Sequence, residues 1–75
     1  MDLLYAVADK IITIEIKAAG TFREEFFKGL DYFDSAISPA LKKIVVYDGD
    51  RDEERSRGIV TNFNSVRERL IADQL

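Results

Sequence analysis

The chain predicts a mixed α/β domain of order ββαβ(β)α, and three observations predict it. Two segments of strand character at the N-terminus are separated by a tight turn, phenylalanines at helical spacing follow a capping signature, and the apolar run Lys43-Ile44-Val45-Val46-Tyr47 comes after them. A strand, a crossover helix and a strand form a right-handed unit, so the third strand is expected parallel to the second. The long helix should lie on one face of a mixed sheet.

Met1 to Val7 reads as the first strand and Ile11 to Lys17 as the second. Ala8-Asp9, or the four residues Val7 to Lys10, make the loop between them. Either loop gives one antiparallel register: Ala6 faces Ile11, Leu4 faces Thr13 and Asp2 faces Glu15. Thr21-Phe22-Arg23-Glu24 matches a capping box, so a helix should start there with the Thr21 hydroxyl accepting from the Glu24 amide. Phe22, Phe26, Phe27, Leu30, Phe33 and Ile37 follow helical spacing, and the helix should run to about Ser35 before Pro39 stops it. An aromatic stripe of this kind fills cores more often than it stacks bases. Gly29 within it suggests close packing on the sheet, since an interior helical glycine costs about 1 kcal/mol against alanine.

The run Lys43 to Tyr47 suits a strand buried on both faces. Asp48 to Arg57 is a loop dominated by charge; Asp48, Asp50 and Asp52 alternate around Gly49 and superficially resemble a calcium loop, but the EF-hand spacing does not continue, so a solvated turn is expected. Gly58 to Thr61 reads as an edge strand. Asn64 or Ser65, with Glu68, should cap a last helix whose Val66, Leu70 and Ile71 face inward. No repeat, linker or low-complexity segment divides residues 1–75, which read as a single domain.

Composition narrows the chemistry. The 75 residues contain no Cys and no His, which removes thiol nucleophiles, imidazole bases and zinc sites and fits a reducing, cytoplasmic setting. A chain of this size has a core that rarely supplies more than about 3–5 kcal/mol. No apolar run approaches a membrane span, so no membrane partner is expected. The net charge of −3 argues against strong DNA binding by the isolated chain, because Lys and Arg neutralising phosphates supply most non-specific affinity.

The candidate site lies on the first two strands. Glu15 and Lys17, two residues apart on a strand, share one face, which by itself is ordinary surface chemistry. Asp2 facing Glu15 changes that reading. Directly opposed like charges destabilise a sheet unless something neutralises them. A divalent cation does so: Mg²⁺ takes oxygen ligands and is held by one or two carboxylates with waters and phosphates in its other positions. Lys17 beside it is placed to orient or deprotonate a water, or to steady charge developing on a phosphate.

Asp2 followed by Glu15-Ile16-Lys17 resembles the D…E-x-K signature of the PD-(D/E)XK nuclease superfamily, the restriction-endonuclease-like fold. Asp2-Leu3-Leu4, Ile14 to Ala18, Thr21-Phe22, Phe26 to Leu30, Tyr32-Phe33 and Val46 to Asp50 are similar to the uncharacterised C-terminal nuclease-like domain of prokaryotic AAA-type P-loop ATPases, a likeness running from Asp2 to about Thr61. The resemblance implies a truncated restriction-endonuclease-like core, with Mg²⁺ held by Asp2, Glu15 and the Ile16 carbonyl, and Lys17 assisting the attacking water. It also implies a helix and strand ahead of Asp2, and a P-loop module before them. Met1 immediately precedes Asp2 and no G-x-x-x-x-G-K-[ST] occurs, so the N-terminal part and the ATPase module are expected to be missing here.

Two functions follow. The chain is either the catalytic core of a Mg²⁺-dependent DNA endonuclease using Asp2, Glu15 and Lys17, or a non-catalytic C-terminal accessory domain of an AAA-type ATP-binding protein. The second is favoured for the fragment as it stands, with enzymatic activity reserved for a chain completed at its N-terminus. An uncovered first strand also invites a homodimer, or pairing with the missing N-terminal module.

Overall fold

A computed structural model describes residues 2–71. Five strands form one mixed sheet in the order β1-β2-β3-β5-β4: β1 is Leu3–Val7, β2 Lys10–Lys17, β3 Lys42–Tyr47, β4 Glu53–Arg55 and β5 Gly58–Asn62. A 3₁₀ turn, Glu24–Phe27, runs into helix α1, Lys28–Ala36, and a short helix α2, Val66–Ile71, ends the described chain. Strands β2, β3 and β5 are mutually parallel, while β1 and β4 run antiparallel along the two edges. The expected α/β class and the parallel β2–β3 pair are found.

Period-2 geometry sorts the side chains into two apolar layers. Val45, Tyr47 and Val60 point to one face, where Phe27 and Leu30 cover them and Phe22 and Phe26 close the rim. Ile12, Ile14, Ile44, Val46 and Ile59 point to the other, where Val66 and Leu70 of α2 pack. Ile44 to Tyr47 are buried from both sides, as the unbroken apolar run of β3 requires. The sheet is therefore a middle layer with one helix on each face. Ile37 and Ile71, expected to face inward, are exposed instead, because each lies at the end of its helix beyond the sheet contact.

The β1–β2 hairpin turns through Ala8-Asp9 in the expected register, with Ala6 opposite Ile11 and Leu4 opposite Thr13. Ala8 takes a positive φ of 55° to close it.

The capping box at Thr21 does not form. Arg23 is the extended N-cap residue and makes no side-chain cap bond. The entry is instead a hydrophobic staple, in which Phe22, just ahead of the cap, packs edge-on against Phe27, 6.1 Å away, and against Phe26 and Tyr47. Drawing Phe22 into that cluster holds Thr21 and Phe22 out of the helix, so the 3₁₀ turn opens at Glu24 and α1 only at Lys28.

Two further expectations are corrected at the C-terminal end. The charged stretch 48–57 is not all turn: Glu53–Arg55 pairs with β5 across the Ser56-Arg57 hairpin, so β5 is internal and β4 is the edge. The last helix is entered from Asn62, whose Oδ1 accepts from the Asn64 and Ser65 amides at 3.0 Å each, rather than from Asn64 or Ser65 side chains.

Candidate functional site

Glu15 and Lys17 emerge at the C-terminal end of β2, beside Val45 and Tyr47 of β3, on the face covered by α1. Glu15 is buried, with 8% of its surface exposed, and its Oε2 lies 3.4 Å from Lys17 Nζ. The Lys17 ammonium also sits 5.6 Å from the centre of the Phe26 ring, a cation–π distance. Between this strand end and the helix opens a cleft of about 490 Å³, lined by Glu15, Lys17, Phe26, Lys28, Gly29 and Tyr32. Gly29, expected close against the sheet, lines this cleft. Tyr32 and Lys28 were not singled out from sequence. Their signal is the helical spacing of Glu25, Gly29 and Tyr32, which brings one helix face over the strand pair.

Asp2, expected opposite Glu15, sits just ahead of the paired strand. The paired strand begins at Leu3; the Asp2 amide donates to the Ile14 carbonyl at 3.0 Å, and Asp2 Oδ2 accepts from the Ile16 amide at 2.7 Å. The physical reason is an orphan donor. Beyond Leu3, the next amide of β2 on this side has no strand partner among the described residues, and a carboxylate hydrogen-bonded to a backbone N–H is a strong replacement. The N–H and C=O of one extended residue point to the same side of the strand, so the Ile16 carbonyl faces this same β1 edge. Among the described residues, no group of three or more acidic, His or Cys side chains could hold a metal ion.

A second polar centre lies at the opposite end of the sheet. Asp31 of α1 accepts from Arg57 Nε and Nη2 at 2.9 and 2.6 Å and from Lys43 Nζ at 3.0 Å. Partial burial pushes its carboxyl up, but the Arg57 and Lys43 hydrogen bonds and charges outweigh this and hold it below the usual carboxylate value. Arg57 is raised in return, first by its hydrogen bond to Asp31. Arg55 pairs with Glu24 and with Glu53. An open cleft of about 260 Å³ lies beside Lys42, Lys43, Arg55 and Arg57, yet each of these cations donates to a protein acceptor, Lys42 to the Arg69 carbonyl. This is a structural ion network.

Asp52 makes a third polar contact, accepting from Arg69 Nε at 2.8 Å and from the Thr61 hydroxyl at 2.9 Å. Those hydrogen bonds, Arg69 first, hold its carboxyl below its ordinary value. The sequence reading left Asp52 in a solvated turn, because its partners are 9 and 17 positions away and follow no local spacing.

Fold and site together define a small mixed α/β domain that carries a buried glutamate and a lysine at the carboxyl ends of its parallel strands, under a helix. Residues 1–66 match the family described as "Domain of unknown function (DUF4143)", and the chain belongs to that family. No curated protein and no solved structure matches it. Among the described residues, no helix is long and apolar enough to cross a membrane.

Proposed function

We propose that this chain is a non-catalytic accessory domain, the C-terminal module of an AAA-type ATP-binding protein, built on a restriction-endonuclease-like core. The observation that carries the reading is the engagement of Asp2: its carboxylate serves the backbone of β2 as a strand-end acceptor. Lys17, held between Glu15 and Phe26, is likewise part of the packing. Membership of a family of unknown function and the likeness of Asp2 to Thr61 to ATPase-linked nuclease-like domains support it. A net charge of −3 is consistent with docking to protein rather than with a grip on DNA.

The neighbouring coding sequence tests this reading. A P-loop module should lie upstream, in frame or one frameshift away, and its product, co-expressed with this chain, should retain it through affinity purification. An unrelated neighbour and no retention overturn it.

One observation favours a second reading, that of a Mg²⁺-dependent nuclease centre. Buried Glu15, the Ile16 carbonyl and the remaining oxygen of Asp2 are hard donors at one strand end, and their chemistry suits Mg²⁺. Those three residues would hold the ion, which would supply an activated water and charge neutralisation at a phosphate. Lys17 would orient that water. Calorimetry with millimolar Mg²⁺ and Mn²⁺ separates the two readings. The accessory reading expects no shift of the melt for wild type, Glu15→Gln or Asp2→Asn. A bound ion at 100 times its Kd stabilises by about 2.7 kcal/mol. A shift of that order, abolished by Glu15→Gln, together with cleavage of plasmid DNA, establishes the catalytic reading.

A further inference from the structure

The two edges of this sheet are built in opposite ways. β4 is three residues long, Glu53-Glu54-Arg55, and its charges guard it as short polar edge strands do. β1 is Leu3-Leu4-Tyr5-Ala6-Val7, with no charge and no proline, and these five residues pair with β2 in one unbroken register. The side chains of Leu3, Leu4 and Tyr5 stand uncovered, between them on both faces. Leu3 and Tyr5 are 51% and 41% exposed on the α2 face, and Leu4 is 46% exposed on the α1 face.

The hydrogen-bonding side of β1 is fixed by its neighbour. The Ile14 carbonyl and Ile16 amide point toward β1, while the Ile11 carbonyl points the other way and accepts from Leu41. Even-numbered residues of β2 therefore bond to β1, and their opposite numbers Leu3 and Tyr5 bond back. The N–H and C=O groups of Leu4 and Ala6 are left facing outward.

We infer that β1 is the interface for a second copy of this chain, added antiparallel about a twofold axis through Tyr5. Only an even register brings outward groups against outward groups, and only the one centred on Tyr5 overlaps the whole strand. Leu4 then meets the partner's Ala6, and Ala6 the partner's Leu4, forming two hydrogen-bonded pairs with four backbone bonds; Tyr5 meets the partner's Tyr5 across the axis in a non-hydrogen-bonded pair. The flanking charges also fit. Asp2 falls opposite the partner's Ala8, so Asp2 and Asp9 never oppose an acidic group of the other copy. A symmetric, isologous contact of this kind closes on itself and joins the two sheets into one of ten strands, with the guarded β4 strands at its ends.

The chain contains no cysteine, so disulfide mapping reads the register directly. In a non-hydrogen-bonded pair the Cα atoms are about 4.5 Å apart, within the range a disulfide spans. Tyr5→Cys is expected to give a disulfide-linked dimer under mild oxidation, whereas Leu4→Cys and Ser56→Cys, the latter at the β4–β5 hairpin, stay unlinked under the same conditions. In light scattering across a dilution series, the wild type should show a concentration-dependent monomer–dimer equilibrium. Tyr5→Lys, which sets two ammonium groups opposite each other, should weaken it at least tenfold with unchanged circular dichroism. A wild type that is monomeric at every concentration, or cross-linking at Leu4 or Ser56 as ready as at Tyr5, overturns the inference. A dimer that Tyr5→Lys does not weaken overturns it too.

Discussion

Gly58 shows how much of this fold depends on single atoms. It opens β5 with φ at +151°, and a Cβ there would stand 2.4 Å from the Lys43 carbonyl oxygen and 2.7 Å from Phe27 Cε1. The first of these is backbone of the central strand and the second a fully buried ring, so neither can yield cheaply. Gly58→Ala is expected to cost about 2–4 kcal/mol from backbone strain and overpacking together. Urea titration measures it, and a loss below about 0.5 kcal/mol contradicts the close approach, since that is the level of an ordinary surface substitution. The Asp2 carboxylate is a second such point. Its pairing with the Ile16 amide was not legible from the sequence, because a register argument locates a Cα and not the direction a side chain takes at a strand end.

At the scale of elements, the staple at the start of α1 gives a paired prediction. Phe22 contacts Phe26, Phe27 and Tyr47 at ring-centroid distances of 5.8, 6.1 and 6.3 Å, and Arg51 and Arg55 lie over its face. Phe22→Ala should destabilise by about 2–3 kcal/mol, on the low side for a phenylalanine because the ring is only partly buried. Thr21→Ala should stay within about 0.5 kcal/mol, where a working N-cap would cost about 1. Equal losses in thermal melts would restore the capping box. The sequence made β2 and α1 legible through their periods, 2 and 3.6, and β1 and β3 through short apolar runs beside turn or charged residues. It hid β4, whose three residues are all charged, and so it hid the internal position of β5. The Glu15–Lys17 pair was legible from their separation of two. The cleft above them was not, because its far wall is a helix whose placement depends on tertiary packing.

Across the whole molecule, each helix is tied to the sheet by one aspartate: α1 through Asp31 to Lys43 and Arg57, and α2 through Arg69 to Asp52. Both carboxyls titrate below their ordinary value in the folded chain. A depressed folded pKa contributes stability that is present above the unfolded value of about 3.9 and is lost as pH falls through the folded value. Stability should therefore be level in this respect above about pH 5 and decline below about pH 4. Asp31→Asn and Asp52→Asn should each lower stability at pH 7 and flatten the decline between pH 4 and 2, which denaturant melts across that range measure. An unchanged acid slope in both variants would show that the two ties carry no linkage.

The strand order has a consequence for how quickly the chain finds its fold. β1–β2 and β4–β5 are hairpins of neighbours in sequence, of the kind that form in about 1–10 μs. β3 enters between them, and neither of its ladders is local: one waits on the α1 crossover and the other on the excursion through β4. Closing those two loops sets the slow step, as non-local pairing does in sheets generally. A truncation at the heart of β3, Val45→Ala, should therefore slow refolding in stopped-flow experiments. The central strand would then be the last piece seated during folding and, along the same path in reverse, the first to leave.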